Sequence, residues 1–214
     1  MENEIVKKGK LVIVRHQESE WNKLGQWTGS RDVHLTEDGF AKSKELGELV
    51  KDICFDKAFA SMQVRSIETL SSILSVCMAD SVLPTEHVSA LNERDYGDYT
   101  GKNKWDMETE IGEDEFNKIR RGWDVPVPNG ESLKMVYERA VPFFVEVIVP
   151  LINSGKNILI VSHGNTIRAL MKYIEKIKDE DISNVEMLFS DIVIYDLDNE
   201  GYMINKEIRS LKNQ

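Results

Sequence analysis

The sequence predicts an α/β fold, a three-layer sandwich with a mostly parallel central sheet flanked by helices. Three observations predict it. Short apolar runs alternate with longer segments of helical periodicity, the pattern of strand–helix–strand units. Two of those runs, Leu11–Val14 and Ile158–Val161, are apolar on every residue, as strands buried on both faces require. At 214 residues the chain is long enough for one sizeable core and too short for two comfortable domains, so 1–214 reads as a single domain.

Taken in order, Met1–Gly9 lacks the apolar middle of a secretory signal and reads as a short solvated tail. Strands are expected at Leu11–Val14, Lys57–Ala60, Ser81–Pro84, Asn157–Val161 and Ile192–Leu197. Thr36 is a plausible N-cap, followed by Glu37 and Asp38 and by apolar spacing through Leu46, Leu49 and Val50. Ser66–Cys77 places Ile67, Leu70, Ile73 and Leu74 on one helical face. Ser132–Ile152 repeats the pattern at greater length after a turn holding Pro126, Pro128, Asn129 and Gly130. Thr166–Ile174 is the last apolar-faced helix. The stretch from about 92 to 128 is charged, aromatic and weakly periodic, and it reads as a lid or ligand-binding excursion.

Composition bounds the function. Apolar residues make up 41% and charged residues 30%, ordinary for a soluble globular protein, and no apolar run is long enough to span a bilayer. A formal charge of −10 argues against nucleic-acid or anionic-membrane partners, but not against a small anion held by a few focused arginines. Cys54 and Cys77 lie in apolar periodic segments and read as reduced core residues of a cytoplasmic protein. No Cys or His spacing suggests a metal, and there is no P-loop, acidic metal pair or dinucleotide fingerprint.

The chain has four histidines. His34 and His87 sit in polar, loop-like contexts and read as ordinary. His16 and His163 each close an apolar run, as Val14-Arg15-His16 and Val161-Ser162-His163, the latter followed by Gly164-Asn165 and a helix. In open α/β sheets ligands bind beyond the carboxyl ends of the strands, where helix N-termini present free N–H groups to anions. Two imidazoles at that edge could face one phosphate: one attacks phosphorus, the other steadies charge on its oxygens. One histidine at a strand end is more often a hydrogen-bonded boundary residue; two in matching contexts favour function.

Phosphoryl transfer spreads charge over three oxygens and calls for multi-donor cations. Arg15 qualifies by adjacency. Arg65 begins the helix after the second strand, against the dipole preference for that position, which favours a functional reading. Arg120, Arg121 and Lys104 lie in the lid segment, where an exposed basic pair alone would be unremarkable. Glu93 is a candidate general acid. Ser19, Asn22, Thr28 and Gly29 would suit phosphate oxygens, and would also suit any polar turn. The consistent reading is metal-free chemistry with arginines carrying the charge.

The ordered set Arg15-His16-x-Glu18-Ser19-x-Trp21-Asn22, Thr28-Gly29, Leu91-Asn92-Glu93-Arg94-x-Tyr96-Gly97, Gly101-x-Asn103-Lys104, Arg120-Arg121, Gly130-Glu131-Ser132-Leu133, Ser162-His163-Gly164-Asn165 and Arg168-Ala169-Leu170 resembles the histidine phosphatase superfamily. Within it the likeness is to the cofactor-dependent phosphoglycerate mutases, from about Leu11 to Asp198. The resemblance implies that a phosphohistidine at His16, primed by 2,3-bisphosphoglycerate without metal, shuttles phosphoryl groups between 3- and 2-phosphoglycerate. It implies Glu93 as acid and base, and His163, Arg15 and Arg65 around the transferring group. Asn22, Thr28 and Gly29 would position its oxygens, Tyr96, Lys104, Arg120 and Arg121 would hold the distal phosphate and carboxylate, and Gly164-Asn165 would add contacts. A homodimer is a further expectation, since related mutases are often dimers or tetramers.

The chain departs from the family pattern at four places. Gln17 stands where the family nearly always has Gly, and Asp95 where mutases commonly carry His. Leu188-Phe189-Ser190-Asp191 replaces a Pro-Thr-Gly-type turn, and the connection from Trp123 to Gly130 is short. All four lie around the expected site. They keep two other readings in play: a phosphomonoesterase that passes the phosphoryl group to water, and a phospholigand-binding protein without turnover.

Overall fold

The computed structural model describes residues 8–78 and 82–211. Six strands form one sheet in the order β3-β2-β4-β1-β5-β6: β1 (Leu11–Arg15), β2 (Lys57–Ala60), β3 (Thr85–His87), β4 (Ile158–Ser162), β5 (Asp191–Leu197) and β6 (Met203–Ser210). Strands β3, β2, β4 and β1 run parallel, while β5 and β6 add antiparallel at one edge. The helices are α1 (Glu20–Lys23), α2 (Glu37–Leu49), α3 (Val64–Cys77), α4 (Lys104–Ile111), α5 (Glu113–Arg121), α6 (Leu133–Phe143), α7 (Val149–Asn153) and α8 (Gly164–Ile174).

The apolar runs make this a three-layer molecule because alternate residues of a strand point to opposite faces. Leu11, Ile13, Ile158 and Ile160 pack with Phe144, Ile152, Leu170 and Ile174 on one side. Val12, Val14, Leu159 and Val161 pack with Leu46, Leu70 and Ile73 of α2 and α3 on the other. Both faces are covered, so neither strand can carry a polar residue before its last position, where chemistry begins.

Local signals set the helix starts. Thr36 Oγ1 accepts from Gly39 N at 3.0 Å at the head of α2, and Ser132 Oγ accepts from Met135 N at 3.2 Å at the head of α6. The expected long helix Ser132–Ile152 changes its hydrogen bonding midway. A π-helical turn, Phe144–Ile148, separates α6 from α7. Pro142 and Pro150 flank that turn, and neither can donate to a regular ladder.

Three further expectations are corrected. The third strand is Thr85–His87, not Ser81–Pro84: Ser81 lies outside the described residues, and Leu83 is buried in the core without joining the ladder. The solvated tail falls mostly outside the described residues, but Gly9 is buried, its N–H donating to Ile152 O at 2.9 Å. Cys54 is exposed, since Ile53 and Phe55 take the core positions beside it; Cys77 packs half-buried, and both are free thiols. The expectations missed β6, whose residues are mostly polar and exposed.

The 92–128 segment is ordered by its own small core. Trp27 packs with Met107 of α4 and Phe116 of α5, flanked by Tyr96 and Tyr99. Arg94, fully buried, braces this unit internally through Ile119 O at 2.7 Å and ties it to the segment before α6 through Glu131 O at 2.6 Å.

Candidate active site

The topology brings the two histidines together. Because β1 and β4 are adjacent and parallel, with Arg15 in register with Ser162, both chains leave the sheet at the same edge. His16 N donates to Ser162 O at 2.8 Å, and the imidazole centres lie 4.8 Å apart. Helix α8 starts at Gly164, directly after His163, so its positive end points to that edge.

The His16 ring has a defined tautomer. Its Nδ1 lies 2.8 Å from Gln17 O, which can only accept, so Nδ1 carries the hydrogen and Nε2 of the neutral ring carries the lone pair. His16 is 3% exposed, and burial, then Arg65 and Arg15, hold its pKa well below the usual imidazole range. The ring is therefore neutral at pH 7, with a nucleophilic nitrogen available. His163 is fully buried and depressed in the same way, first by burial and then by Arg65. Its Nε2 meets Ser61 Oγ at 2.7 Å, and its Nδ1 is buried without a partner.

His16 lies in a small inner chamber with Arg15, Arg65, Thr28, Asn22 and Glu93. Its volume of about 50 Å³ holds roughly three or four waters, the scale of one phosphate group. Buried donors there lack partners: Arg15 Nε, Arg65 Nε and the Thr28 hydroxyl. Buried polar groups are nearly always paired, so several orphans around one small space mark a place built for an external polar group. Gly29 shapes this wall. Its φ is +53°, and a Cβ there would sit 3.0 Å from Tyr96 N, so a larger residue is strained twice over. Its carbonyl receives Arg65 Nη2 at 2.9 Å and Gln63 Nε2 at 2.7 Å.

A second, outer chamber of about 100 Å³ shares Arg15, Glu93, Tyr96 and Lys104 with the first. Arg120, Arg121 and Arg168 enclose it, with Glu186 on its rim. Burial, then Arg120 and Arg15, lower the Lys104 ammonium to about 8. Arg121 Nη2 pairs with Glu186 at 2.9 Å, and Tyr96 Oη receives Asn165 Nδ2 at 2.7 Å. Trp27 Nε1 and Arg168 Nε are further buried donors without partners on this side. Two linked chambers lined by cations can hold a molecule carrying two anionic ends.

Most residues expected at the site line one chamber or the other. Two do not: His163, fully buried, lines neither chamber and meets the site through the His16 ring, and Ser19 is buried as the N-cap of α1, its hydroxyl donating to Asn22 Oδ1 at 2.8 Å. That bond ties down the carboxamide oxygen and leaves the Asn22 amide for the chamber. Asp95 also turns away, accepting from Gly97 N at 2.9 Å in a local turn.

Sequence reasoning missed four contributors. Ser61 braces His163; Gln63 receives Glu93 N at 2.8 Å; Arg139 donates to Glu93 O at 3.1 Å while pairing with Glu131 at 2.9 Å; Arg168 holds Asn165 Oδ1 at 3.0 Å. Ser61, Gln63 and Arg139 act through contacts between segments far apart in sequence, where spacing carries no signal, whereas Arg168, part of the resembling set but given no role there, reaches Asn165 one turn back on α8.

The model of the histidine phosphatase superfamily, branch 1, matches residues 11–207. A 2,3-bisphosphoglycerate-dependent phosphoglycerate mutase of Bradyrhizobium diazoefficiens is 42% identical over 198 residues, covering 92% of this chain and 95% of that one. The protein of the same name from Parvibaculum lavamentivorans is 39% identical over 200 residues, with the same coverage of each chain, 92% and 95%. The alpha-ribazole phosphatase of Shigella flexneri shares the fold, with a TM-score of 0.76 at 24% identity over 95% of this chain and 96% of that one. This chain belongs to the histidine phosphatase superfamily, branch 1.

Proposed function

We propose that this protein is a cytoplasmic 2,3-bisphosphoglycerate-dependent phosphoglycerate mutase that interconverts 3- and 2-phosphoglycerate through a phosphohistidine at His16. The observation that carries the reading is the pair of chambers. The inner one has the His16 Nε2 lone pair and unpartnered cationic donors, Lys104 borders both, and the outer one adds Arg120, Arg121 and Arg168. A simple phosphatase needs only the first. A molecule with a phosphate at one end and a second phosphate or a carboxylate at the other fits both. Relatives at 42% and 39% identity with that name support the same reading.

In this account His16 Nε2 forms a bond to phosphorus as the bond from phosphorus to the substrate oxygen breaks. Glu93, which lines both chambers, gives the departing oxygen a proton and takes one from the hydroxyl that next receives the group. Arg15, Arg65 and the Nδ1 side of His163 carry the charge on the equatorial oxygens, with Asn22, Thr28 and Gly29 around them. 2,3-Bisphosphoglycerate supplies the first phosphoryl group. Among the described residues, no three His, Cys, Asp or Glu side chains are grouped to hold a metal, and no helix is long and apolar enough to cross a membrane.

The test is incubation with 3-phosphoglycerate, with and without trace 2,3-bisphosphoglycerate, in EDTA, following 2-phosphoglycerate and inorganic phosphate together. Isomerisation that depends on the bisphosphate and releases little phosphate is the expected outcome. Phosphate release without isomerisation would make the protein a phosphomonoesterase, and neither product would leave a phospholigand-binding protein.

A further inference from the structure

We propose that Gln17 is a positioning residue for Arg15, acting through Phe189. The inference rests on the function proposed above and explains two departures from the family pattern, because in the folded chain they touch. Gln17 is fully buried, and its carboxamide NH2 donates one hydrogen to Arg15 O at 3.1 Å and one to Phe189 O at 2.7 Å. One amide group thus ties the end of β1 to the loop before β5. The loop in turn grips the Arg15 side chain twice. Arg15 Nη1 donates to Met187 O at 2.9 Å, and the guanidinium carbon lies 3.8 Å from the Phe189 ring centre. The same ring meets His16 edge-on at 5.9 Å.

The Gln17 backbone is equally committed. Its N–H donates to Thr69 Oγ1 at 3.0 Å, and its carbonyl fixes the His16 tautomer. Nothing in its backbone requires glycine: among the described non-glycine residues only Asn129 and Lys176 have positive φ. Gln17 Oε1, however, is buried without a partner, a cost that a smaller apolar residue would avoid. A side chain held at that cost, with both amide hydrogens engaged, is explained by what it holds. It holds the 187–189 segment against Arg15 and so aims the one arginine that borders both chambers.

The experiment compares Gln17→Met, which keeps length without donors, with Phe189→Leu and the double variant. The rate of His16 phosphorylation by labelled 2,3-bisphosphoglycerate is measured, together with dissociation constants for orthovanadate and orthophosphate. Vanadate adopts the five-coordinate geometry of the transferring group, and phosphate does not. Each single variant is expected to slow phosphorylation and weaken vanadate about tenfold, with phosphate affinity within about twofold of the parent. The double variant should fall no more than about threefold below either single, because both act through one contact. Parental rates in the singles, a hundredfold additive loss, or equal weakening of phosphate and vanadate would each overturn the proposal. Should Gln17→Met fail to fold, Gln17→Gly replaces it in the cycle. If the parent protein itself is never phosphorylated, the mutase reading fails, while the ratio of vanadate to phosphate affinity still tests the role of Gln17.

Discussion

At the scale of single residues, charge state decides what the site can do. The two central histidines are kept neutral by burial beside arginines, so neither imposes an acid limit near neutrality. Lys104 is different. Lowered to about 8, it is a cation below that pH and neutral above it, so affinity for an anionic ligand is lost as pH rises through about 8. We expect kcat/KM for phosphoglycerate to fall with pH above about 8, and Lys104→Arg, which stays charged, to remove that limb. An unchanged limb in the arginine variant would assign it to another group. The candidates whose chemistry is intrinsic were readable in the sequence from type and position, Arg15, His16 and His163 at strand ends and Arg65 in the first turn of a helix. Ser61, Gln63 and Arg139 were not, because their work is to hold other residues through contacts that only the fold creates.

At the scale of elements, the lid pair α4 and α5 governs the outer chamber. Helix α5 gathers Lys118, Arg120 and Arg121 in its last turn, where the dipole favours cations, and aims two of them inward. The Arg121–Glu186 pair is partly exposed and contributes about 1 kcal/mol or less to stability. Arg120→Ala with Arg121→Ala is therefore expected to leave the melting temperature nearly unchanged and raise KM about tenfold or more, with a smaller change in kcat. Steady-state kinetics beside a thermal melt checks this; an unchanged KM would remove the lid from substrate binding. Strands buried on both faces announced themselves by unbroken apolar runs. The edge strands did not. β3 is Thr-Glu-His and exposed at all three positions, and β6 is mostly polar and exposed with no apolar face to count, so hydrophobicity misplaced the first and hid the second.

At the scale of the whole molecule, an acidic protein of net charge −10 encloses a cationic interior. The parallel centre of the sheet makes this possible, since it delivers the ends of β1, β2 and β4 and the start of α8 to one edge. The mostly parallel character of the sheet was implied by alternating strands and helices, but the pairing of β1 with β4, which sets two histidines 4.8 Å apart, is a long-range fact of the fold. Everything proposed for this site turns on His16 carrying the phosphoryl group. That is tested most directly by incubating the protein with 2,3-bisphosphoglycerate labelled in phosphorus, quenching in base and mapping the label. We expect an acid-labile, base-stable label on His16, absent from His16→Asn, with mutase turnover lost in the same variant. Label on another residue, or turnover that survives His16→Asn, would contradict it.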